Sequence, residues 1–557
     1  MVNKKIKIIL FAVLLVVLNI VANYFYTRFD FTKEKRFTLN PKSKAVLNKA
    51  QQQITITVFL DGELPAAFKR LQRATADLLN DYKSNSSVKI KVVFTDPIGG
   101  LPVEEQDTVL HQLYNIGIEP TNLNIKKDAG FTQKIVFPMA IVQAGGRQIP
   151  VRLLQNLDAG GNYEENINNS IQNLEYVFTS AIKKVSTGEN PRIGFTEGNG
   201  EPSDLYLSDA MKSLSDSYEV GRVDLNQISK QGLDKLKILF VTKPQRELSE
   251  AVKYKINYFV MNGGSVVWSI DQVSASLDSL QGKGEQLAFN NKLNLDDMLF
   301  MYGARVNYNL VADLNCAEIP IAMNGGSGRD IQMAPWIYYP VLIPDTSNNI
   351  VRNIDGVKTE FLSTVDTIGV KGIRKTAILR TSPYHITYNT PKLLSLGIVA
   401  EAPDQKLFSN PVQNAAVLLE GVFPSVFLNR AVPAGITENF GAAAQSKKTK
   451  MMVIGDGDIF LNQVSGRDGS VFPLGFDRYT QRNFGNKAFL LNVADYLSSD
   501  DNLIELRNKE VKVRLLDKQL LRQSKIKWQF INLILPLLLL ISFAIFQHYY
   551  RKYKYAR

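Results

Sequence analysis

Acidic side chains that follow predicted strands are the residues of this chain best placed to bind a ligand. They are Glu197 and Glu201, which flank a glycine-rich turn, Asp271, and the pair Asp456 and Asp458. In an open α/β sheet, ligands bind beyond the carboxyl ends of the strands, so these carboxylates can share one edge. Such oxygen ligands hold polar groups or a divalent cation; the alternative is that short acids only cap helices and close turns. We predict a ligand site at this edge, with no metal.

The glycine-rich turn Glu197-Gly-Asn-Gly-Glu201 stands between a predicted strand and a predicted helix, where a phosphate-binding loop would lie. The lysine of a Walker motif is missing, and the two flanking carboxylates would repel a phosphate. We therefore disfavour nucleotide binding and keep Asn199 with the two glutamates as candidate ligand residues.

Nucleophilic chemistry has little support, because the sequence has no Gly-x-Ser-x-Gly motif and only one cysteine, Cys316. A lone cysteine is more often a small buried residue than a nucleophile. His385 has no evident catalytic partner in the sequence. We predict no catalytic residue and no cofactor, and a hydrolase that uses the acids at the sheet edge is the enzymatic alternative.

One aromatic segment is a further candidate for recognition. Trp336 lies among prolines and tyrosines in Ala334-Pro-Trp-Ile-Tyr-Tyr-Pro340. Such segments can stack on sugars or extended peptides, although they pack loops more often. We include Trp336 among the candidate ligand residues on this basis.

The net charge of +12 is concentrated near the two ends of the chain. The basic residues responsible are Lys4, Lys5 and Lys7 at the start, Arg551, Lys552, Lys554 and Arg557 at the end, and six within 512–527. Because the rest of the chain is close to neutral, no basic face is left to bind nucleic acid. Basic tails beside apolar segments instead indicate a membrane protein.

Two apolar segments are long enough to cross a bilayer, residues 8–26 and 528–546. For the first, the alternative is a cleaved signal peptide; for the second, it is a buried core helix. Asn19 and Asn532 are candidate polar contacts with a partner helix, and Pro536 is expected to kink the second span.

The positive tails predict the orientation of the two spans. By the positive-inside rule both tails are cytoplasmic, which leaves a domain of roughly 500 residues in the periplasm, anchored in the cell inner membrane. Basic residues in 28–36 and 512–527 compete with this orientation. Long loops cross the membrane largely regardless of charge, so the short tails carry more weight.

The exterior region reads as α/β. Asn40 and Pro41 predict the N-cap and first residue of a short helix. A strand–helix–strand pattern follows, and then a hairpin whose first strand is 131–141; this pattern predicts a thioredoxin-like module without its Cys-x-x-Cys. A later strand–helix alternation predicts a doubly wound, flavodoxin-like parallel sheet with an α+β insertion. The predicted segments are an anchor at 1–27, a connector at 28–50, the first module at 51–155, a linking helix at 156–190, the α/β domain at 191–275 and 446–505, its insertion at 276–445, a juxtamembrane helix at 506–527, a span at 528–547 and a basic tail at 548–557.

The order of short motifs along the chain resembles a known family, the gliding-motility-associated ABC transporter auxiliary proteins of the Bacteroidota, the GldG type. The motifs are Arg36-Phe-Thr-Leu-Asn40, Thr55-Ile-Thr-Val-Phe59, Gly194-Phe-Thr-Glu-Gly-Asn-Gly-Glu201, Gly455-Asp-Gly-Asp458 and Gly485-Asn-Lys-Ala-Phe-Leu-Leu-Asn492, framed by the two spans. The resemblance implies a fold similar to class I glutamine amidotransferases without their catalytic Cys and His. It also implies a permease subunit and, through it, a cytoplasmic ATPase as partners.

Together these observations predict a non-enzymatic, membrane-anchored exterior subunit of an ABC-type complex linked to gliding motility. It would bind a substrate or couple ATPase-driven motion to envelope partners, with two copies per complex by analogy with other ABC transporters. The alternative is a passive envelope scaffold without a solute ligand.

Overall fold

The computed structural model describes residues 38–118, 120–127, 130–154, 163–187, 191–215, 217–323, 330–345, 347–352, 354–400, 403–441, 443–498, 503, 506 and 518–555. Two compact units are present, Phe37–Lys509 and a second that combines Met1–Arg36 with Glu510–Arg557. The predicted N-terminal span, with Asn19, lies outside the described residues, as does most of the predicted segment at 506–517.

The first part of the larger unit is a four-stranded sheet with helices. Its elements are α1 (Pro41–Lys49), β1 (Ile54–Val58), α2 (Ala66–Asn85), β2 (Ile90–Phe94), α3 (Val103–Asn115), β3 (Thr121–Lys127), β4 (Gly130–Val136), β5 (Met139–Ala144), β6 (Arg147–Arg152) and α4 (Tyr163–Thr187). The strand order is β2-β1-β5-β6, with β1 parallel to β2 and antiparallel to β5. The hairpin β3–β4 pairs separately.

Local sequence accounts for most of these elements. The Asn40 side chain accepts a hydrogen bond from the Lys42 amide, and Pro41 stands at the first helical position, so α1 begins where predicted. The alternating strand β1 buries Ile54, Ile56 and Val58 completely, which is the period expected of a strand with one face in the core.

Two predictions for this region were wrong. The segment 131–141, predicted as one strand, is split by Phe137 and Pro138 into β4 and β5, which belong to different sheets. Proline cannot donate to a strand ladder, and the chain changes partner at that point. Helix α3 was also missed; its first turn holds Glu104 and Glu105 rather than a strong apolar stripe.

Helix α4 joins the first sheet to the second part of the unit. On one side Glu175 accepts hydrogen bonds from the Asn40 amide at 2.7 Å and the Ser43 hydroxyl at 2.8 Å, and both donors belong to the start of α1. Further along the helix, Lys184 lies 2.9 Å from Asp495, and Tyr176 donates to the same carboxylate at 2.7 Å. The helix predicted as a linker therefore holds both parts through polar contacts.

The second part begins with alternating strands and helices. These are β7 (Arg192–Glu197), α5 (Asp204–Ser215), β8 (Glu219–Asp224), α6 (Lys230–Asp234), β9 (Leu236–Thr242), α7 (Glu250–Met261) and β10 (Ser265–Ser269). The pairs β7–β8, β7–β9 and β9–β10 are parallel, as the alternation predicted. Ser249 caps α7 by accepting from the Val252 amide, and Gly263 ends it with a φ of +92°, a conformation that glycine adopts without strain.

The next part of the chain, which apart from β11 is the predicted insertion, contributes many short elements and several long strands. They are β11 (Val273–Ser274), α8 (Leu277–Lys283), β12 (Glu285–Asn290), α9 (Asp296–Tyr302), β13 (Ala304–Val306), β14 (Asn309–Asp313), β15 (Cys316–Met323), β16 (Asp330–Pro344), β17 (Val357–Lys358), β18 (Val365–Thr367), β19 (Ile373–Arg380), β20 (His385–Asn389), β21 (Lys392–Ser395) and β22 (Asn414–Gly421). Two short 3-10 turns lie between β21 and β22.

The chain then returns to the central sheet and closes the unit. The remaining elements are β23 (Thr449–Ile454), β24 (Phe476–Asp477), β25 (Arg482–Asn483) and α10 (Asn486–Ser498). Strand β23 resumes the parallel pattern, as predicted; it pairs parallel to β10 and antiparallel to β22. The sheet runs β15-β16-β19-β22-β23-β10-β9-β7-β8, so four strands of the insertion extend it rather than forming a separate body.

Helices cover both faces of the parallel strands. On one face, Phe240 of β9 stacks against Phe195 of β7 at 4.7 Å and meets Phe460 at 5.7 Å, and Phe460 in turn packs on Phe489 of α10. On the other face, Trp268 of β10 is fully buried in the cluster that contains α7. Burial on both faces explains why these strands read as continuous apolar runs.

The smaller unit contains one described helix, α11 (Lys518–Tyr555). Its segment Gln529–Tyr555 is long and apolar enough to cross a membrane. The helix continues through Pro536, and Asn532 is exposed on it. This finding agrees with the predicted C-terminal span.

The contacts of Asp495 generate a prediction about stability. Burial acts to raise the pKa of this carboxyl, but Lys184 and the hydroxyls of Tyr218 and Tyr176 outweigh it and hold the pKa below its usual value. Replacing Asp495 with Ala is expected to lower the free energy of unfolding by about 3 kcal/mol, because the remaining buried groups lose their charged partner. Urea unfolding of the detergent-solubilised chain measures this loss.

The pH dependence of that loss has a definite sign. A carboxyl with a depressed folded pKa stabilises the protein above its unfolded pKa, and this contribution disappears as the pH falls through the folded value. The difference between wild type and Asp495→Ala should therefore shrink below about pH 4. Glu219→Ala, which removes an exposed pair with Arg192, is the control and should change stability little. An undiminished difference in acid would contradict the assignment.

Candidate functional site

Three neighbouring parallel strands, β9, β10 and β23, end at the same edge of the sheet. Ser269 pairs in register with Thr242 on one side and with Ile454 on the other. The residues that follow these strand ends are Lys243, Asp271, Asp456 and Asp458. We call these four residues, with Glu360 from the insertion, the acid–lysine cluster.

Lysine 243 is at the centre of the acid–lysine cluster. Its Nζ lies 2.6 Å from Oδ1 of Asp458 and 3.2 Å from Oδ2 of Asp271. The carboxylates of Asp271, Asp456 and Asp458 each offer an oxygen within 4.8 Å of the others. Lys243 has a φ of +49°, an unusual value for a residue with a side chain, and its amide donates to the Ser269 carbonyl.

Backbone groups bind the remaining carboxylate oxygens. Asp456 is fully buried and accepts hydrogen bonds from the amides of Asp458 at 2.9 Å and Glu360 at 3.2 Å. Oδ1 of Asp271 accepts from the amide of Gly457. A Cβ atom at position 457 would lie 2.8 Å from Cγ of Lys243 and 2.9 Å from Cγ of Asp271, so only glycine lets these two side chains close over the loop.

A second lysine connects the acid–lysine cluster to the end of the domain. Nζ of Lys358 lies 3.3 Å from Glu360 and 3.2 Å from Asp477, whose side chain is almost completely buried. The Lys358 ammonium also lies over the ring of Tyr339. The insertion and the segment after β23 are thus held to one edge by alternating charges.

Burial governs the ionisation of the acid–lysine cluster. Burial raises the pKa of Asp456 well above its usual value, and the charges of Asp458 and Asp271 add to the effect. Burial also raises the pKa of Asp458 to about 7, although the Lys243 ammonium opposes this. Burial alone would lower the pKa of Lys243, but Asp271 and Asp458 outweigh it and raise the pKa, so the lysine stays charged.

The predicted residues of the glycine-rich turn lie in the neighbouring loop, between β7 and α5. The Asn199 amide donates to Glu201 at 2.6 Å, and its carbonyl accepts from the amides of Gln245 and Arg246 after β9. Glu197 pairs with Arg222 at 3.4 Å. The structure therefore brings three of the five predicted carboxylates together, while Glu197 and Glu201 act on their own turn and on β8.

Trp336 is not available to a ligand in this structure. Its side chain is completely buried, and its ring meets Tyr338 edge-on at 5.4 Å within the core of the insertion. The prediction that this aromatic segment recognises a sugar or peptide finds no support here, because residues 336–342 of β16 are all buried. Trp336 is therefore not part of the proposed site.

Among the described residues, Ser382, His385 and Asp313 bring together the residue types of a nucleophilic triad, but their hydrogen bonds are not those of a triad. Ser382 donates its hydroxyl to Asp313, and Nδ1 of His385 lies 2.7 Å from the Ser382 carbonyl rather than from the hydroxyl. Burial raises the pKa of the half-buried Cys316 thiol to about 11, so little thiolate forms at neutral pH. Neither group is arranged to attack a substrate.

Sequence reasoning missed both lysines, Glu360 and Asp477. A signal existed for Lys243, which directly follows an apolar strand and precedes Pro244. Glu360, Lys358 and Asp477 had no such signal, because they reach the edge from segments far away in the chain.

A known protein family matches the part of the chain that contains the acid–lysine cluster. The family described as ABC-type uncharacterized transport system matches residues 190–493, more than half of the chain. The chain belongs to this family. The match contains the acid–lysine cluster completely, and a separate domain of unknown function matches residues 33–143 in the first part.

Two individual proteins are similar to this member of the transport-system family. An uncharacterized protein of Borreliella burgdorferi is 21% identical over 505 residues, which are 88% of this chain and 86% of that protein. The solved mmIFT52 N-terminal domain is 14% identical to this chain, with a TM-score of 0.32. The match covers 98% of that domain and 56% of this chain. A similarity at that TM-score supports no structural conclusion, so the fold assignment depends on strand order alone.

Membership of the family associates the chain with an ABC-type transport system as an auxiliary component. The resemblance found in the sequence is confirmed at this level. Gliding motility and a Bacteroidota origin remain predictions. The apolar segment of α11 agrees with membrane association.

The central position of Lys243 generates a second prediction. Lys243→Met is expected to lower the free energy of unfolding by about 3 kcal/mol, because it leaves buried carboxylates without their cation. Adding Asp458→Asn should recover part of this loss, with a coupling energy of about 1 to 3 kcal/mol in a double-mutant cycle. Lys406→Met, at an exposed lysine, is the control. Additive losses would show that the two side chains do not interact.

Proposed function

We propose that the chain is a non-enzymatic, membrane-anchored exterior subunit of an ABC-type transporter complex linked to gliding motility. In this proposal it binds a substrate or couples ATPase-driven motion to envelope partners. The observation that carries the proposal is the family match over 190–493 in a chain that also has a membrane-length helix at Gln529–Tyr555.

A non-catalytic role is supported by how the acids at the sheet edge are used. Asp458 and Asp271 are paired with Lys243, and Asp456 accepts two backbone amides. A general acid or base needs a carboxyl that can reach a substrate proton. The side chain of Asp456 is fully buried and satisfied, which disfavours such a role.

Coupling of motion is the version that the geometry favours over an open solute pocket. The crevice beyond the strand ends, where α/β sheets commonly bind ligands, is occupied here by Lys243 and Lys358 with their carboxylates. The same ion pairs favour the alternative of an envelope scaffold without a solute ligand. The two versions differ in whether the transporter subunits accompany the chain.

The family match and the predicted membrane spans suggest which proteins bind this chain. We propose a permease subunit that packs against the spans, a cytoplasmic ATPase bound through it, and two copies of this chain per complex. Asn532, which is exposed on α11, would make a polar contact with a permease helix. Hydrolysis would come from the ATPase, because this sequence lacks a Walker A motif.

We also propose that the two folds predicted from the sequence apply. The order β2-β1-β5-β6 with one parallel and two antiparallel pairs supports a thioredoxin-like module. The parallel order β10-β9-β7-β8 with helices on both faces supports an amidotransferase-like domain. We assign no catalytic residue of the thioredoxin or amidotransferase families to either domain.

Purification from native membranes tests the transporter proposal. A C-terminally tagged chain, extracted in mild detergent and examined by mass spectrometry, should retain a polytopic permease and an ATPase in comparable amounts. Asn532→Leu should weaken retention of the permease, because it removes the polar contact, whereas Ser542→Leu on the same helix should not. Recovery of envelope proteins without a permease would favour the scaffold instead.

The membrane arrangement has its own test, made possible by the single cysteine. In a Cys316→Ser background, one cysteine is introduced either at Lys371, in an exposed turn, or at Tyr555, near the end of α11. A membrane-impermeant maleimide should label Lys371→Cys in cells with a permeabilised outer membrane, and Tyr555→Cys only after lysis. Labelling of both in unlysed cells would contradict the cytoplasmic position of the C-terminal tail.

A further inference from the structure

We propose that the acid–lysine cluster is a binding site for one divalent cation of the calcium class, formed by Asp271, Asp456 and Asp458 with the hydroxyls of Thr242 and Ser269. This inference goes beyond the proposed function and does not depend on it, since it is tested on the purified chain. Nothing in the family match assigns such a site.

The first argument is an excess of carboxyl groups over ammonium groups in a buried place. Five carboxylates face two ammonium groups here: Asp271, Asp456, Asp458, Glu360 and Asp477 against Lys243 and Lys358. Apart from Glu360, at 31%, the paired acids expose less than a fifth of their side chains. Burying charge is costly, and a bound cation can supply the positive charge that two lysines do not provide for five carboxyl groups.

The second argument is independent of the acids. The hydroxyls of Thr242 and Ser269 are buried and have no hydrogen-bond partner among the described residues. The two residues are register partners on adjacent parallel strands, so both side chains point to the same face of the sheet. Buried hydroxyls almost always have a hydrogen-bond partner, so two without one indicate that a bound ion or polar group contacts them.

The direction of these hydroxyls connects them to the acids. Ser269 and Asp271 are two residues apart, as are Ile454 and Asp456. The chain between them stays in the ladder, because the Ile270 amide donates to the Ile454 carbonyl and the Gly455 amide donates to the Ala415 carbonyl. Each pair therefore shares a face. Intervening Ile270 belongs to the core of the opposite face. The loop after Asp458 returns over the hydroxyl-bearing face, where Phe460 packs on Phe240. The hydroxyls therefore lie on the same face of the sheet as the carboxylates that follow them.

The kind of ligand atom selects the kind of cation. Calcium binds six to eight oxygens at about 2.3 to 2.6 Å in a flexible geometry, and the side chains named here offer only oxygen. The oxygens of Asp271, Asp456 and Asp458 lie close enough together to contact one ion. Magnesium requires a tighter octahedron at about 2.1 Å, and zinc prefers the nitrogen and sulfur ligands that this cluster lacks.

Lys243 would compete with the cation for the same oxygens. Its ammonium already contacts Asp458 and Asp271, so a cation that enters must displace it or share its ligands. Removal of this lysine should therefore tighten calcium binding. This consequence distinguishes a cation site from a purely structural network of ion pairs.

The test is calorimetric titration of calcium chloride into the full-length, chelator-treated chain in detergent, with magnesium and potassium chloride as ionic controls. Wild type should bind one calcium per chain, and thermal unfolding should shift upward at about 5 mM calcium. Lys243→Met should bind about tenfold more tightly and regain in calcium the stability that it loses without it. Asp458→Asn should abolish binding.

Hydroxyl variants keep the proposal testable if an acid variant fails to fold. Thr242→Val and Ser269→Ala remove unpartnered groups, so they should leave the calcium-free protein at least as stable while weakening calcium binding several-fold. Asp468→Asn, at an exposed turn, is the matched acidic control and should bind calcium as wild type does.

Three outcomes would overturn the proposal. The first is no calcium binding by wild type, whatever the variants do. The second is binding that Asp458→Asn and Thr242→Val leave unchanged, which would show an adventitious ion only. The third is Lys243→Met binding calcium more weakly than wild type, which would show that the lysine does not compete with the cation.

Discussion

The ion pairs of Lys243 with Asp458 and Asp271 are the interaction on which the rest of this edge depends. They join the ends of β9, β10 and β23, which lie side by side in the sheet although Lys243 and Asp458 are 215 positions apart in the chain. The same loop binds the insertion, because Asp456 accepts the amide of Glu360. Without the lysine, the carboxylates that follow β10 and β23 would meet in a buried place with no ammonium group between them.

The cost of burying these charges explains their connections. Each carboxylate has a lysine or backbone amides as partners, as buried ionic groups must if the fold is to be stable. This demand for compensation shapes the backbone, since Gly457 leaves room for two side chains and Lys243 adopts a positive φ. A sheet edge occupied by ion pairs in this way is suited to hold segments of the chain together. This property is consistent with an auxiliary component that transmits motion within a transport system.

Local signals in the sequence accounted for many elements, and non-local pairing accounted for the failures. Caps at Asn40 and Ser249 and the apolar strand at Ser265–Ser269 were recognisable because each depends on neighbours in the chain. Strand β22 is just as apolar, but its place beside β23 depends on a partner that follows it after an intervening loop. The insertion therefore seemed separate, although its strands extend the central sheet.

The sequence by itself determined the α/β class, the parallel core, a C-terminal segment of membrane length and the acids that follow the strands. Those properties depend on the spacing of apolar residues along the chain and on short motifs, and both involve residues close together in the sequence. Only the tertiary structure decided which acids meet, that Lys243 and Lys358 stand among them, and that Trp336 is buried. The physical reason is that charge compensation and burial depend on groups brought together from distant segments, and no pattern of neighbouring residues records that pairing.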